Sequence, residues 1–334
     1  MTDVLPHNER LVTVFGGSGF IGRTVVQELV KRGWRVRVAC RRPDLAFFLN
    51  SLGRVGQIAP VQANLRFPDS VAAAMRGADA VVNLVGVLAE SGRQSFEAVH
   101  GFGAASVGKA AAAAGIRNVV HVSAIGADEK SSAAYARTKA RGEAAIREAV
   151  PETVIFRPSV VFGAEDSFLN RFAAMARIMP VLPLVGADTK FQPVFVGDIA
   201  TAIADSLDGK TRTGTTYELG GPDALAFRDL VAYICGQIGR KRLLAPVPFG
   251  PGRVMAFCTE LLSTLSLGLY PDMLTTTRDQ VEMLRADNLV SEAARAEGRT
   301  LEGLGITPES LRVVAPTYLW RYRATGQYDS RKLA

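Results

Sequence analysis

Leu11-Val12-Thr13-Val14-Phe15 is a short apolar run rich in β-branched residues, and it stops at Gly16-Gly17-Ser18-Gly19-Phe20-Ile21-Gly22 before a helical pattern runs from Thr24 to Lys31. The order is strand, glycine turn, helix. A phosphate group needs that order, because backbone N–H groups at a helix N-terminus point at the anion and side chains in the turn would block its approach. Gly16, Gly19 and Gly22 keep the approach clear, and Ser18, Phe20 and Ile21 complete the turn. A lone glycine triplet is also an ordinary βα turn, so its flanks decide. The helical pattern ends at Gly33 and a second strand follows from Arg35 to Ala39, closing a βαβ unit of the length a dinucleotide fold uses.

An enzyme that binds NAD usually places an Asp or Glu at the end of that second strand to accept from the ribose 2′-hydroxyl. Here the chain reads Cys40-Arg41-Arg42-Pro43. With the acid replaced by two guanidiniums, and Arg23 directly after the last glycine, the expected ligand carries a 2′-phosphate, which points to NADP(H).

The alternation continues with strands at Ile58 to Gln62, Ala80 to Val87 and Val119 to Val122, and helices at Ser70 to Met75, up to Ala114 and over Ser132 to Ala149. Such a sequence implies a parallel sheet covered on both faces. The expected class is α/β, a Rossmann-type doubly wound parallel sheet with a smaller C-terminal α/β region. Residues 10–165 form the nucleotide-binding domain, with 191–206 returning to it, and residues 166–190 and 207–330 form the smaller docking or lid domain, which includes a short strand at Thr216 to Leu219. The last helix of the core pattern carries Tyr135-Ala136-Arg137-Thr138-Lys139, whose spacing puts Tyr135 and Lys139 on one face.

The 334 residues are 48% hydrophobic and 21% charged, which suits a folded protein with one main core and an annex. No apolar run is long enough to span a bilayer, and MTDVLPHNER fits neither a secretory signal nor a transit peptide, so the expected compartment is a bacterial cytoplasm. Cys40, Cys235 and Cys258 are odd in number and far apart, and His7, His100 and His121 lack metal-ligand spacing, so neither a disulfide scaffold nor a metal site is expected. The net charge of +7 favours anionic partners, but the longest basic run is Arg240-Lys241-Arg242, and nucleic acid is not among the expected partners. His121 lies inside an apolar strand and reads as a core residue.

The glycine turn, Ser123 at the end of the fifth strand and the Tyr135-x-x-x-Lys139 helix together resemble the short-chain dehydrogenase/reductase superfamily in its extended and atypical branch. Phe156-Arg157-Pro158-Ser159-Val160-Val161-Phe162-Gly163 and Val194-Phe195-Val196-Gly197-Asp198 resemble further motifs of that branch. The resemblance implies that Tyr135 is an acid/base, that Lys139 binds the nicotinamide ribose and lowers the tyrosine pKa, and that Ser123 polarises a carbonyl. It also implies that Asn64 and Leu65 line the adenine, where the family often has Asp-Leu, and that Val85, Pro158 and Val161 complete the cofactor site. The chain departs from the enzyme pattern at Ser123-Ala124-Ile125-Gly126, which lacks the further hydroxyls such enzymes often carry there.

Downstream, Ala164-Glu165-Asp166-Ser167-Phe168-Leu169-Asn170-Arg171-Phe172, Thr277-Arg278-Asp279-Gln280-Val281-Glu282 and Leu304-Gly305-Ile306-Thr307-Pro308 resemble the nucleotide-binding accessory subunits of respiratory complex I. That resemblance implies a bound NADPH without independent catalysis, other complex I subunits and the membrane surface or lipid headgroups as partners, and a peripheral place on the cytoplasmic side of a bacterial inner membrane. The alternative is a soluble NADP-dependent reductase or epimerase, and a redox sensor is a third reading. Arg253 to Leu269 is a helix candidate whose charged side chains are only Arg253 and Glu260, more apolar than a surface helix should be; it is either buried or turned to a partner. Tyr318-Leu319-Trp320-Arg321-Tyr322-Arg323 interleaves aromatic and basic residues and reads as a docking segment.

Overall fold

The computed structural model describes residues 10–92, 94–266, 271 and 274–328. His7 and the end of the helix expected over 253–269 lie outside the described residues.

In chain order the elements are β1 (Leu11–Phe15), α1 (Phe20–Lys31), β2 (Arg35–Cys40), β3 (Ile58–Gln62), α2 (Pro68–Met75), β4 (Ala80–Asn83), α3 (Phe102–Ala113), β5 (Asn118–Val122), α4 (Ala134–Ala149) and β6 (Val154–Pro158). There follow β7 (Val161–Phe162), α5 (Phe168–Ile178), β8 (Val181–Val185), β9 (Lys190–Phe191), β10 (Val194–Phe195), α6 (Val196–Leu207) and β11 (Thr216–Leu219). Next come β12 (Leu225–Ala226), α7 (Phe227–Gln237), β13 (Leu243–Val247), α8 (Phe249–Leu265) and α9 (Arg278–Met283).

The chain divides into two compact units. The first comprises Met1–Pro158, Val196–Leu219 and Ser291–Thr307, and the second Ser159–Phe195, Gly220–Val290 and Pro308–Ala334. The first unit holds a seven-stranded parallel sheet in the order β11-β6-β5-β4-β1-β2-β3. Helices cover both faces of the sheet, and all four residues of β4, Asn83 included, are buried. Phe15, Val71, Met75, Val81, Val107 and Ile146 form one side of the core, each burial being worth about 1.5–3 kcal/mol. The strand order reverses between β1 and β4, so the loops leaving these strands open a crevice at their carboxyl ends.

Two expectations are corrected in this unit. The strand Thr216–Leu219, expected in the smaller region, is β11 of the main sheet, where it pairs in parallel with β6 and sets Tyr217 against Phe156 at 5.7 Å between ring centroids. The fourth strand ends at Asn83 rather than Val87, because the Asn83 Oδ1 accepts the Val85 N–H at 3.2 Å and turns the chain away from the sheet.

The second unit has its own core of Phe162, Leu169, Leu182, Phe227, Ile234 and Leu319, with short strand pairs β8–β13, β9–β12 and β7–β10. Ala256 of α8 is buried with Val185 and Val281. Val254, Phe257, Leu261 and Leu265 are between 47% and 69% exposed, so the stripe faces outward from this unit rather than into its core. The C-terminal aromatic segment differs from expectation. Tyr318 is buried and its hydroxyl donates to Asp166 Oδ2 at 2.9 Å, while Arg323 Nε donates to the Gln237 carbonyl at 2.7 Å, so the segment straps the unit's core instead of projecting from it.

Candidate dinucleotide site

The glycine turn links β1 to α1 at the reversal point of the sheet. Gly16 has φ +79°, in the left-handed region, and a Cβ there would lie 3.3 Å from Val85. At Gly22 a Cβ would come within 2.2 Å of the Gly16 carbonyl oxygen, so the first turn of α1 packs on the glycine loop as only glycine permits. Gly19 stands at the N-cap, and no side chain caps the helix. Its opening turn therefore presents backbone donors, as a phosphate site requires.

Arg41 and Arg42 follow β2 and are both exposed. The Arg42 guanidinium holds Asp44 through contacts of 3.1, 3.3 and 2.8 Å, and this hydrogen bond keeps the Asp44 carboxyl below its usual range. Arg23 stacks 5.1 Å above the Phe48 ring. Asp44, two residues beyond Arg42, was not foreseen as a member of this cluster, although its spacing was visible in the sequence. Asn64 Oδ1 accepts the Arg66 N–H at 3.2 Å in a local turn, and Leu65 is buried beside Gly103, where a Cβ would lie 2.9 Å from its Cδ1.

A second group gathers around α4. Lys139 is 5% exposed; its Nζ donates to the Val122 carbonyl at 3.2 Å and lies 5.9 Å from the Tyr135 ring centroid. Burial lowers its pKa to about 8, against the opposing pull of Glu143 one turn on. Glu143 is itself buried and forked onto Arg157 at 2.9 and 2.6 Å. Tyr135 is pushed up to about 12 by burial. Ser123, next in the chain to Val122, has a buried Oγ with no hydrogen-bond partner among the described residues. Gly86 keeps a space over this group, since a Cβ there would meet Lys139 Nζ at 3.2 Å and His100 Nε2 at 3.6 Å. His121 is a core residue, 2% exposed, with Nδ1 3.1 Å from Asn83 Nδ2.

The first unit thus carries the glycine turn, Arg23, Arg41, Arg42, Val85, Ser123, Tyr135 and Lys139 on the loops and helix beside the carboxyl ends of its strands. Pro158 ends β6 there, and its carbonyl accepts the Ile125 N–H at 3.0 Å. Val161 belongs to β7 of the second unit. His100 and Gly86 were missed by the sequence reading, because neither stands in a recognisable motif. The orphaned Ser123 hydroxyl, the clearance at Gly86 and the glycine cradle fit a nicotinamide dinucleotide. No group of His, Cys, Asp and Glu able to hold a metal occurs among the described residues.

Residues 16–166 match the family model described as NAD(P)H-binding. The chain is 34% identical over 320 residues to the mitochondrial "NADH dehydrogenase [ubiquinone] 1 alpha subcomplex subunit 9" of Arabidopsis thaliana, an alignment covering 95% of this chain and 79% of that protein. It is 30% identical over 317 residues to the mitochondrial "NADH-ubiquinone oxidoreductase 40 kDa subunit" of Neurospora crassa, covering 95% and 80%. Among solved structures, an NADPH-dependent quinone oxidoreductase from Escherichia coli, complexed with NADPH, shares the fold at a TM-score of 0.68 and 18% identity, over 92% of this chain and 99% of that one.

Proposed function

This chain belongs to the family of the alpha subcomplex subunit 9 of NADH dehydrogenase (ubiquinone), within the extended short-chain dehydrogenase/reductase fold, and we propose that it is an accessory subunit of respiratory complex I that holds NADPH without turning it over. The kinship along 95% of the chain is the observation that carries the subunit role. Gly16, Gly19 and Gly22 would receive the pyrophosphate, Arg23 and Arg41 a 2′-phosphate, and Lys139 and Ser123 the nicotinamide ribose end. Asp44 shares the charge of Arg42 and moderates its part in that preference. A bound nicotinamide would supply hydride chemistry.

Turnover needs an acid/base whose pKa lies near the working pH. Burial pushes Tyr135 up to about 12, away from that condition, which supports holding over turnover. Tyr135 and Lys139 beside an unpartnered Ser123 hydroxyl support the second reading, a soluble NADP-dependent reductase.

The exposed stripe of α8 supports docking on other subunits of the complex, because an apolar face of this kind needs cover. Arginines of the same unit are engaged within it: Arg278 with Glu260 at 2.9 Å, Arg285 with Glu282 at 2.8 Å and Arg321 with the Ala164 carbonyl. That favours a protein partner over anionic headgroups. Among the described residues no helix is long and apolar enough to cross a membrane. Kinship with complex I subunits supports a peripheral place for the protein, and the proposal puts it on the cytoplasmic face of a bacterial inner membrane.

Isolation of membranes in mild detergent, followed by identification of co-purifying subunits and of the bound nucleotide, tests this reading. Complex I subunits and NADPH should accompany the wild type, and Leu261→Asp with Leu265→Asp should release the protein while NADPH stays bound. Recovery of the wild type free of every complex I subunit would leave the soluble reductase as the better reading.

A further inference from the structure

Ahead of α3 the chain makes a π-helical turn over Glu97–Gly101, a wide turn that regular helix-forming sequence does not require. Its effect is to press His100 against α4. Gly142 approaches so closely that a Cβ there would lie 2.3 Å from the His100 carbonyl oxygen.

The His100 ring is 2% exposed and bonded at both nitrogens. Nε2 accepts the Val87 N–H at 3.1 Å, and Nδ1 lies 3.2 Å from Thr138 Oγ1. A backbone amide only donates, so Nε2 is unprotonated and the ring proton sits on Nδ1, where it is given to Thr138. The Thr138 hydroxyl in turn has the Ala134 and Tyr135 carbonyls at 2.9 and 3.0 Å. The ring also stacks on Phe96 at 5.5 Å and meets the edge of Tyr135 at 5.3 Å. Burial and the nearby Lys139 charge hold the imidazole neutral, its pKa down at about 3.

One neutral ring therefore joins the loop after β4 to the helix that carries Tyr135 and Lys139, and it does so beside the clearance at Gly86. We infer that His100 is a positioning residue of the nucleotide site: by tying Val87 to Thr138 it holds the Gly86 loop at a fixed height over Lys139 and keeps the nicotinamide ribose end open. The inference rests on the nucleotide-binding reading above, but its mechanical half, the tethering of the loop, holds without ligand.

His100→Ala, His100→Gln and Thr138→Val test it. Gln can return an acceptor to Val87, whereas Ala cannot, and Val keeps the Thr shape without its hydroxyl. In the nucleotide-free protein, hydrogen exchange at Val87 should rise at least tenfold in His100→Ala and return most of the way in His100→Gln. NADPH affinity by calorimetry should fall about tenfold in His100→Ala, less in Thr138→Val, and recover in His100→Gln. Should His100→Ala fail to fold, the Thr138→Val and Gln variants carry the comparison. Unchanged exchange and unchanged affinity in Thr138→Val and His100→Ala overturn the inference. Loss of affinity that Gln does not restore also overturns it, since simple packing would then explain the ring. A wild type that binds no nicotinamide nucleotide, while the exchange differences persist, overturns the nucleotide reading and with it the binding half, leaving the tether itself upheld.

Discussion

The phosphate end and the α4 end of the candidate site differ in how far their charges are withdrawn from water. Arg41 and Arg42 stand in solvent at the end of β2, while Lys139, Glu143 and His100 are each at most 5% exposed. Exposed guanidiniums keep their charge and can respond to an anion at little desolvation cost. Buried groups hold each other in place, and burial lowers the pKa of both Lys139 and His100, which suits rigid binding better than proton transfer. On this contrast we propose that the phosphate end selects the ligand and the α4 end fixes it.

The largest effect should follow from filling the glycine cradle. Gly22→Ala sets a methyl against the Gly16 carbonyl oxygen, which is backbone and cannot swing aside. A loss of about 3 kcal/mol in stability and of measurable nucleotide binding is expected, from melting and calorimetry. If Gly22→Ala binds NADPH normally, the phosphate end is not built as described.

Protonation sharpens the other side of the comparison. Lys139 titrates at about 8 when folded, below the ordinary 10.5 of an unfolded lysine. Between these values the unfolded chain holds the extra proton, so this group makes stability rise with pH from about 8 to 10.5, while below 8 the cost of burying the ammonium is fully present. The rise should be on the order of 3 kcal/mol and vanish in Lys139→Met, read from denaturant unfolding across that window. Above pH 10 Tyr135 works in the opposite sense, its folded pKa of about 12 exceeding the unfolded 10.

A smaller effect is expected at the exposed end. Arg41→Ala with Arg42→Ala should cost NADPH about tenfold or more in affinity and leave NADH nearly unchanged, removing the preference. Asp44→Ala should move the preference the other way by freeing Arg42. Equal wild-type affinities for the two nucleotides would show that these arginines do not select.

The phosphate end was legible in the sequence because its elements are local. A β-branched run, three glycines and a helix pattern occupy neighbouring positions, and burial on both faces leaves Ala80, Val81 and Val82 of β4 apolar in succession. What stayed hidden depends on distant partners. Thr216–Leu219 alternates half-buried and buried residues as any edge strand would, and only its pairing with β6 assigns it to the main sheet. His100 stands in an Ala-rich stretch with no signal for a π turn, and its role needs Val87 and Thr138 brought to it by the fold. The α8 stripe was readable as helical spacing, but spacing does not say whether core or water lies opposite.

The central claim is that the protein binds NADPH and performs no chemistry with it. It is tested most directly by following nicotinamide absorbance after purified wild type and Tyr135→Phe are each loaded with NADPH and offered carbonyl and nucleotide-sugar substrates. The expected result is tight binding and an unchanged absorbance in both proteins, with no difference between them. Steady oxidation of NADPH by the wild type that disappears in Tyr135→Phe would contradict the claim and make the protein a reductase.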